Sequence, residues 1–198
     1  SLCVLACTSP KGDEDTASDS VDSVSDSDTT GDTDTGSSEG WQISVQAGQD
    51  LGALMSVWGP GPEDVYAVGG QPDPDPKATI LHFDGSDWSE ESTPAGTPML
   101  NWVFGSEGRT WAVGQGGTIV TREDDGSWSA ETSPSDRVLW GLWGADSSEL
   151  WAVGGDGLGD DPVLLRRDGA TDSWEVVTVP DPGNDCRGLF KVWGRSAG

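Results

Sequence analysis

The sequence predicts an all-β protein built from repeated four-stranded antiparallel units that follow an N-terminal segment without regular structure. A unit that begins with LMSVWG at residue 54 returns as LNWVFG at residue 100 and as LWGLWG at residue 139, and its opening returns once more as LFKVWG at residue 189. Within each unit, polar and apolar residues alternate with a period of two, which is typical of strands. Clusters of Gly, Pro, Asp and Ser separate the short β segments as turns do.

The spacing of the repeats indicates the kind of repeat fold. The equivalent aromatic residues Trp58, Phe104, Trp143 and Trp193 are 46, 39 and 50 residues apart, close to the roughly 40–50 residues of a β-propeller blade. The four strands of such a blade are buried by stacking on the next blade. We therefore predict a partial β-propeller with complete blades at residues 51–94, 97–134 and 137–180.

Single strands are predicted at both ends of this domain, which spans residues 41–198. Residues 41–46 match the fourth strand of a unit and form an orphan strand, and residues 186–198 begin a further blade. These elements are too few for a closed ring, so we expect a chain truncated at both ends, from a parent of about six to eight blades.

The recurring pattern VWG, DVYAVGG, DG and W resembles the repeats of bacterial β-propeller proteins near the BNR/Asp-box and photosystem-assembly-factor-like propellers. The resemblance covers residues 41–198. A full Asp-box has the form S-x-D-x-G-x-x-W, and the segments DGSDW at 84–88 and DGSW at 125–128 resemble a shortened form of its core. The resemblance implies either a glycan-processing enzyme of the sialidase type, with catalytic residues in missing blades, or an assembly factor for an envelope complex.

The N-terminal segment, residues 1–7, has the apolar sequence SLCVLAC and is interpreted as the end of a signal peptide. Its last four residues, VLAC, resemble a bacterial lipobox, in which the cysteine thiol is diacylated and a small residue, here Ala6, precedes it. We predict lipidation at Cys7, with an ordinary cleaved secretory signal as the alternative. The predicted location is the bacterial cell envelope, lipid-anchored at the outer membrane or surface, or secreted.

Residues 8–40 form a tract of Ser, Asp, Thr and Gly with ten carboxylates between Asp13 and Glu39. The tract has almost nothing apolar to bury, so ordering it would cost backbone entropy without compensation. We predict a disordered acidic linker between the anchor and the blades.

The charge of the chain restricts its partners. Asp and Glu outnumber Lys and Arg by 35 to 10, which disfavours nucleic acid and anionic membrane surfaces. No stretch of about 20 apolar residues exists, so no transmembrane helix is predicted, and membrane contact is expected only through the anchor at Cys7. The expected partner is a protein or a glycan.

Comparison of the units provides a filter for catalytic residues. His82 is the only histidine, and the alignment places Thr121 and Leu165 in the same position of the other units. Tyr66 is the only tyrosine, and its position is occupied by tryptophan in the other two units. Both are therefore interpreted as structural, no nucleophile with an adjacent base is identified, and a non-catalytic protein is predicted.

Trp102 and Trp140 differ from the other tryptophans because their positions vary between units. Both are predicted on first strands, which line the central channel of a propeller. Either ring is a candidate for stacking on a sugar or peptide, and packing in the core is the alternative.

Loops of unequal length between second and third strands, at 71–77 and 156–162, are the other candidate site. They contain the acids Asp73, Asp75, Asp156, Asp160 and Asp161. Carboxylates with backbone carbonyls suit Ca²⁺, whereas solubilising loop acids are the alternative; no other cofactor is expected. We therefore predict an envelope-anchored, non-catalytic binding or scaffold module that presents rim loops to a protein or glycan.

Overall fold

The computed structural model describes residues 2–6, 43–45, 50–71, 76–156, 162–179 and 188–195. One compact unit consists of Ser1–Thr8 together with Ala47–Gly198, and Ser9–Gln46 form a second unit. Within the described ranges, no helix is long and apolar enough to cross a membrane. The predicted acidic linker at 8–40 lies outside the described residues.

Strands make up nearly all of the regular structure in the described residues, with one short 3₁₀ turn at Gln115–Gly117. The strands are β1 Leu2–Ala6, β2 Ala53–Gly61, β3 Asp64–Gln71, β4 Lys77–Phe83, β5 Trp88–Glu91, β6 Leu100–Ser106, β7 Arg109–Gly114, β8 Ile119–Arg122, β9 Trp128–Ala130, β10 Leu139–Asp146, β11 Glu149–Gly154, β12 Val163–Asp168, β13 Ser173–Val176 and β14 Leu189–Gly194.

Three four-stranded antiparallel sheets follow one another along the chain, in the orders β2-β3-β4-β5, β6-β7-β8-β9 and β10-β11-β12-β13. We call them blades 1, 2 and 3. The first strands β2, β6, β10 and β14 are neighbours in sequence order, which is the arrangement of successive propeller blades. The predicted all-β partial propeller is thereby confirmed.

The glycine of the repeated AVG motif is required by a close approach inside each blade. A Cβ atom on Gly114 would lie 2.2 Å from the carbonyl oxygen of Met99, just before β6. Gly69 and Gly154 are in the same situation, with carbonyl oxygens at 1.8 and 2.0 Å. Any side chain at these three positions would force the first and second strands apart, which explains why the motif recurs.

The hydrophobic core lies between blades rather than within them. One cluster joins blades 1 and 2 through Val68, Ile80, Leu100 and Val103, all 0–1% exposed. A second joins blades 2 and 3, and a third joins blade 3 to β14. Each fully buried aliphatic side chain contributes about 1.5–3 kcal/mol, so stacking supplies most of the stability of the blades.

A single strand lies beside β14. β14 pairs antiparallel with β1, from Leu2↔Gly194 to Ala6↔Leu189. The orphan strand predicted at 41–46 falls largely outside the described residues; positions 43–45 are not in a strand, and Ile43 is 84% exposed.

Candidate functional site

A carboxylate at the end of each of the first two blades binds two side chains of the following blade. At the junction of blades 1 and 2, Glu91 accepts hydrogen bonds from Arg122 Nη2 at 2.9 Å and Arg122 Nε at 3.2 Å. The same carboxylate accepts a hydrogen bond from Trp128 Nε1 at 2.5 Å. Arg122 and Trp128 are cross-strand neighbours on β8 and β9, so one carboxylate fixes one pair.

The junction of blades 2 and 3 repeats this arrangement. Glu131 accepts hydrogen bonds from Arg167 Nε at 3.2 Å and from Trp174 Nε1 at 2.5 Å. Trp111 of blade 2 donates to its other oxygen at 3.1 Å. Arg167 is 1% exposed, so its charge is neutralised inside the protein.

Each of these arginines also lies over an aromatic ring of the preceding blade. The Arg122 guanidinium is 5.5 Å from the ring centroid of Tyr66, and that of Arg167 is 5.4 Å from that of Trp111. The hydrogen bond to Glu91 raises the pKa of Arg122. We call this set of contacts, a carboxylate and an aromatic ring of one blade with an Arg–Trp pair of the next, the inter-blade latch.

The latch was not predicted from the sequence, although the units contain a signal for it. Glutamate occurs three residues after Trp88 and Trp128, whereas Val177 stands three residues after Trp174. The arginine position, opposite the tryptophan on the neighbouring strand, is occupied in blade 1 by Phe83. The leading edge of blade 1 therefore lacks the latch arginine, and the trailing edge of blade 3 lacks the latch glutamate.

His82 has a polar role that the sequence analysis did not anticipate. Its Nε2 lies 2.8 Å from Asp64 Oδ1 and its Nδ1 lies 3.4 Å from Glu91 Oε1. The imidazole stacks on Tyr66, with ring centroids 4.4 Å apart and planes within 6°. His82 thus connects the carboxylate that opens β3 with the carboxylate of the latch.

The predicted equivalence of His82 and Leu165 is wrong. The register pairs Tyr66 with His82 in blade 1 and Trp151 with Arg166 in blade 3. Leu165 is one residue earlier, and a shift of one residue in a strand moves a side chain to the opposite face. Arg166 bonds the carboxylate at the start of its own second strand, as His82 does.

Burial raises the pKa of Tyr66 to about 12. Arg122 opposes this shift, while the nearby carboxylates of Asp64 and Glu91 add to it. The phenol therefore keeps its proton at neutral pH, and it donates a hydrogen bond to the Asp64 carboxylate.

A cleft of about 210 Å³ opens between blades 1 and 2. It lies on the side of the molecule formed by the first-to-second and third-to-fourth strand turns, which we call the turn face. The opposite side, which bears the second-to-third connections and the connections between blades, is called the loop face. The cleft is lined by Trp58, Pro60, Asp64, Tyr66, Gly108, Thr110, Arg122, Glu123 and Asp124.

Trp102 lies on first strand β6, as predicted, and its ring is partly buried. Lys191 of β14 places its Nζ 3.2 Å from the centroid of that ring. Partial burial lowers the pKa of Lys191. Gly141 occupies the corresponding position on β10 between them, so no side chain separates the lysine from the ring.

Trp140 lies on first strand β10 and is engaged within the protein. Its Nε1 donates a hydrogen bond to the carbonyl of Gly155 at 3.0 Å, and its ring lies 5.8 Å from that of Phe190. Stacking of Trp102 and Trp140 on a ligand stays a prediction.

Most of the other predicted site residues lie outside the described residues: Cys7, Asp73, Asp75, Asp160 and Asp161. Asp156 is described and forms an ion pair with Arg137. Among the described residues, no group of three or more His, Cys, Asp or Glu side chains is placed to hold a metal ion. The Ca²⁺ site and the lipidation of Cys7 stay predictions.

Comparisons with known proteins give matches among solved structures only. No family model and no curated protein matches the chain, whereas 44 chains of solved structures do. One of these, described as YCF48 bound to D1 peptide, is similar to this chain with a TM-score of 0.47 and 22% sequence identity over 65% of this chain. The match spans 40% of the length of that structure.

Proposed function

We propose that this protein is a non-catalytic binding module of the bacterial cell envelope that presents its propeller blades to a protein partner. A lipid anchor at Cys7 and the acidic segment at 8–40 would hold the blades near the membrane. The observation that supports the proposal best is that the side chains with chemical reactivity make structural contacts. Tyr66, His82 and Glu91 are engaged in contacts within and between blades, which makes the blades a rigid platform.

A protein partner is favoured over a glycan by the contacts of the two candidate stacking rings. The Lys191 ammonium lies over the ring of Trp102, and a sugar would have to displace it. Trp140 packs against Phe190. With a net charge of −25, the chain attracts partners that expose basic groups.

The test is affinity capture from detergent-solubilised envelope fractions with the full chain. We expect one stoichiometric protein, and a peptide of residues 8–40 serves as the control for capture by charge alone. Recovery of one multi-subunit complex would indicate an assembly factor. Turnover of a chromogenic sialoside that Tyr66→Phe abolishes would replace the binding proposal with an enzymatic one.

The anchor has its own test, palmitate labelling in a bacterial host. Wild-type chain and a Cys186→Ser variant are expected to take up label, whereas Cys7→Ser is expected to lose it. Labelling that survives Cys7→Ser would contradict the proposed anchor and leave the binding role unaffected.

A further inference from the structure

The cleft between blades 1 and 2 has an occupied counterpart between blades 2 and 3. Arg109 begins β7 two residues before Trp111, as Asp64 begins β3 two residues before Tyr66. The guanidinium carbon of Arg109 is 5.1 Å from the Trp111 ring centroid. Arg109 Nη1 lies 3.5 Å from the carboxylate of Asp172, in the third-to-fourth strand turn of blade 3. One junction therefore holds a cation between an aromatic ring and an acidic turn.

At the junction of blades 1 and 2 the acidic turn is present and the cation is not. The turn of blade 2 brings Glu123 and Asp124 to the cleft, and Asp64 replaces the arginine. Arg122 also lines the cleft, but Glu91 binds it through two nitrogen atoms and offsets its charge. Three carboxylates and the paired Arg122 thus line a space that corresponds to the position of the Arg109 guanidinium in the neighbouring junction.

The size of the cleft has a simple cause. Asp64 is shorter than Arg109 and Tyr66 is smaller than Trp111, so side-chain volume is lost twice at one place. The resulting 210 Å³ is below the roughly 300–1,000 Å³ of pockets for drug-sized ligands. It is therefore large enough for one long side chain and small for a nucleotide.

We propose that this cleft binds the guanidinium group of an arginine side chain on the partner protein. The inference rests on the proposed binding function and specifies the chemistry of the partner. Asp64, Glu123 and Asp124 would offset the positive charge, as Asp172 does for Arg109. The indole of Trp58, partly buried at the wall of the cleft, supplies an aromatic surface of the kind that guanidinium groups stack on.

The first experiment measures binding of a small probe to the full chain by NMR of the tryptophan indole groups. The probe is Nα-acetyl-arginine amide, and the control probe is the citrulline analogue, which has nearly the same shape without the charge. We expect the arginine probe to shift the Trp58 indole signal with a Kd on the order of millimolar, as suits a single side chain. We expect binding of the citrulline probe to be at least about tenfold weaker, because citrulline lacks the positive charge that strengthens hydrogen bonds to carboxylates.

Two variants test the position of the site. Asp124→Asn removes a carboxylate from the cleft and is expected to weaken arginine binding about three- to tenfold. Asp136→Asn causes the same change in net charge on the loop face, where Asp136 is 98% exposed, and is expected to have no effect. Equal effects of the two variants, or equal binding of arginine and citrulline, would overturn the proposal. So would binding of Nα-acetyl-glutamate amide, which would indicate an anion site at Arg122.

Asp64→Arg provides the decisive variant because it supplies in blade 1 the arginine that blade 2 already has. We expect it to fill the cleft and to abolish probe binding while far-UV circular dichroism is unchanged. Captured partner should fall at least about tenfold relative to wild type. If wild type and Asp64→Arg capture the same partner equally, the cleft proposal fails and the binding function stands. If wild type captures no partner, the binding function fails, and the probe measurements alone decide whether the cleft takes arginine.

Discussion

The junction between blades 1 and 2 and the junction between blades 2 and 3 are joined by the same latch but are filled differently beside it. In both, a glutamate of one blade holds an Arg–Trp pair of the next. The arginine of the second junction, Arg167, is 1% exposed, whereas Arg122 of the first is 26% exposed. Arg109 covers the second junction, and Asp64 leaves the first open.

The residues that the two junctions share hold the blades together, and the residues that differ are available for binding. The shared latch contacts lie beside the cores of both junctions and support the stacking of the blades. Where the junctions differ, stacking does not dictate the residue. Asp64 stands where the next blade has an arginine, and this difference between otherwise equivalent junctions indicates a candidate ligand position.

Removal of the latch carboxylate should have the largest effect on the free energy of unfolding, and the size of the effect should differ between the two junctions. Glu131→Gln leaves the buried charge of Arg167 with Asp172 as its remaining ion-pair partner among the described residues, and we expect a loss of about 3–5 kcal/mol in the free energy of unfolding. The matched variant Glu91→Gln should cost about 1–3 kcal/mol, because Arg122 retains contact with water. Urea unfolding measures both, and a larger loss for Glu91→Gln would contradict the difference in burial.

Opening the second junction is the next test. Arg109→Asp removes a partly exposed cation–π contact and an ion pair, each worth about 0.5–1 kcal/mol. We expect a loss of about 1–2 kcal/mol and a second cleft that binds the arginine probe. Arg109→Gln, the control, should give a similar loss of stability without probe binding. If Arg109→Asp leaves the thermal unfolding temperature unchanged, the arginine does not close this junction.

A smaller, pH-dependent difference is expected from Asp172. Hydrogen bonding to Arg167, with a further contribution from Arg109, lowers the pKa of Asp172. A carboxyl group whose pKa is depressed on folding contributes stability above its unfolded pKa of about 3.9, and this contribution is lost as the pH falls through the folded value. Thermal unfolding between pH 2 and pH 6 should therefore depend less on pH in Asp172→Asn than in wild type. Equal pH dependence of thermal unfolding in the variant and in wild type would show that the Asp172–Arg167 pair does not contribute to it.

The last test has no expected effect at neutral pH. The single tyrosine allows Tyr66 to be titrated by its ultraviolet absorbance, and the expected midpoint is about 12. Because the folded pKa lies above the unfolded value of about 10, its contribution to stability is complete below pH 10 and is lost as the pH rises through 12. A midpoint near 10 in the folded protein would contradict the burial of the phenol, and a urea-unfolded sample provides the reference.

The sequence was sufficient to predict the blades and insufficient to predict how they contact one another. The alternation of polar and apolar residues and the recurring glycines indicate contacts inside one sheet, such as the close approach of Gly114 to Met99. The hydrogen bonds from the latch glutamates to the next blade join residues 31 to 43 positions apart, and no local pattern links them. The alignment of His82 with Leu165 was wrong by one residue, and the Asp-Gly that stands two residues after both His82 and Arg166 would have selected Arg166.

The cleft was beyond sequence reasoning for a different reason. Its volume follows from Asp64 and Tyr66 being smaller than Arg109 and Trp111, and the effect appears only once two blades are stacked. The comparison of units removed Tyr66 from the candidate list as a packing residue, which its burial supports. Yet its smaller size helps to create the space beside it.

Phe83 and Val177, the two positions where the latch residues are replaced, have a consequence for folding. Chains of similar repeats are prone to pairing the wrong neighbours. If blade 3 docked in front of blade 2, Arg122 would meet Val177 instead of a carboxylate, and the loss of its charged hydrogen bonds would cost about 1–3 kcal/mol. Blade 1, with Phe83 at its leading edge, offers no arginine to Glu131 of blade 2. The latch side chains therefore disfavour docking of blade 3 in front of blade 2 and docking of blade 1 behind blade 2.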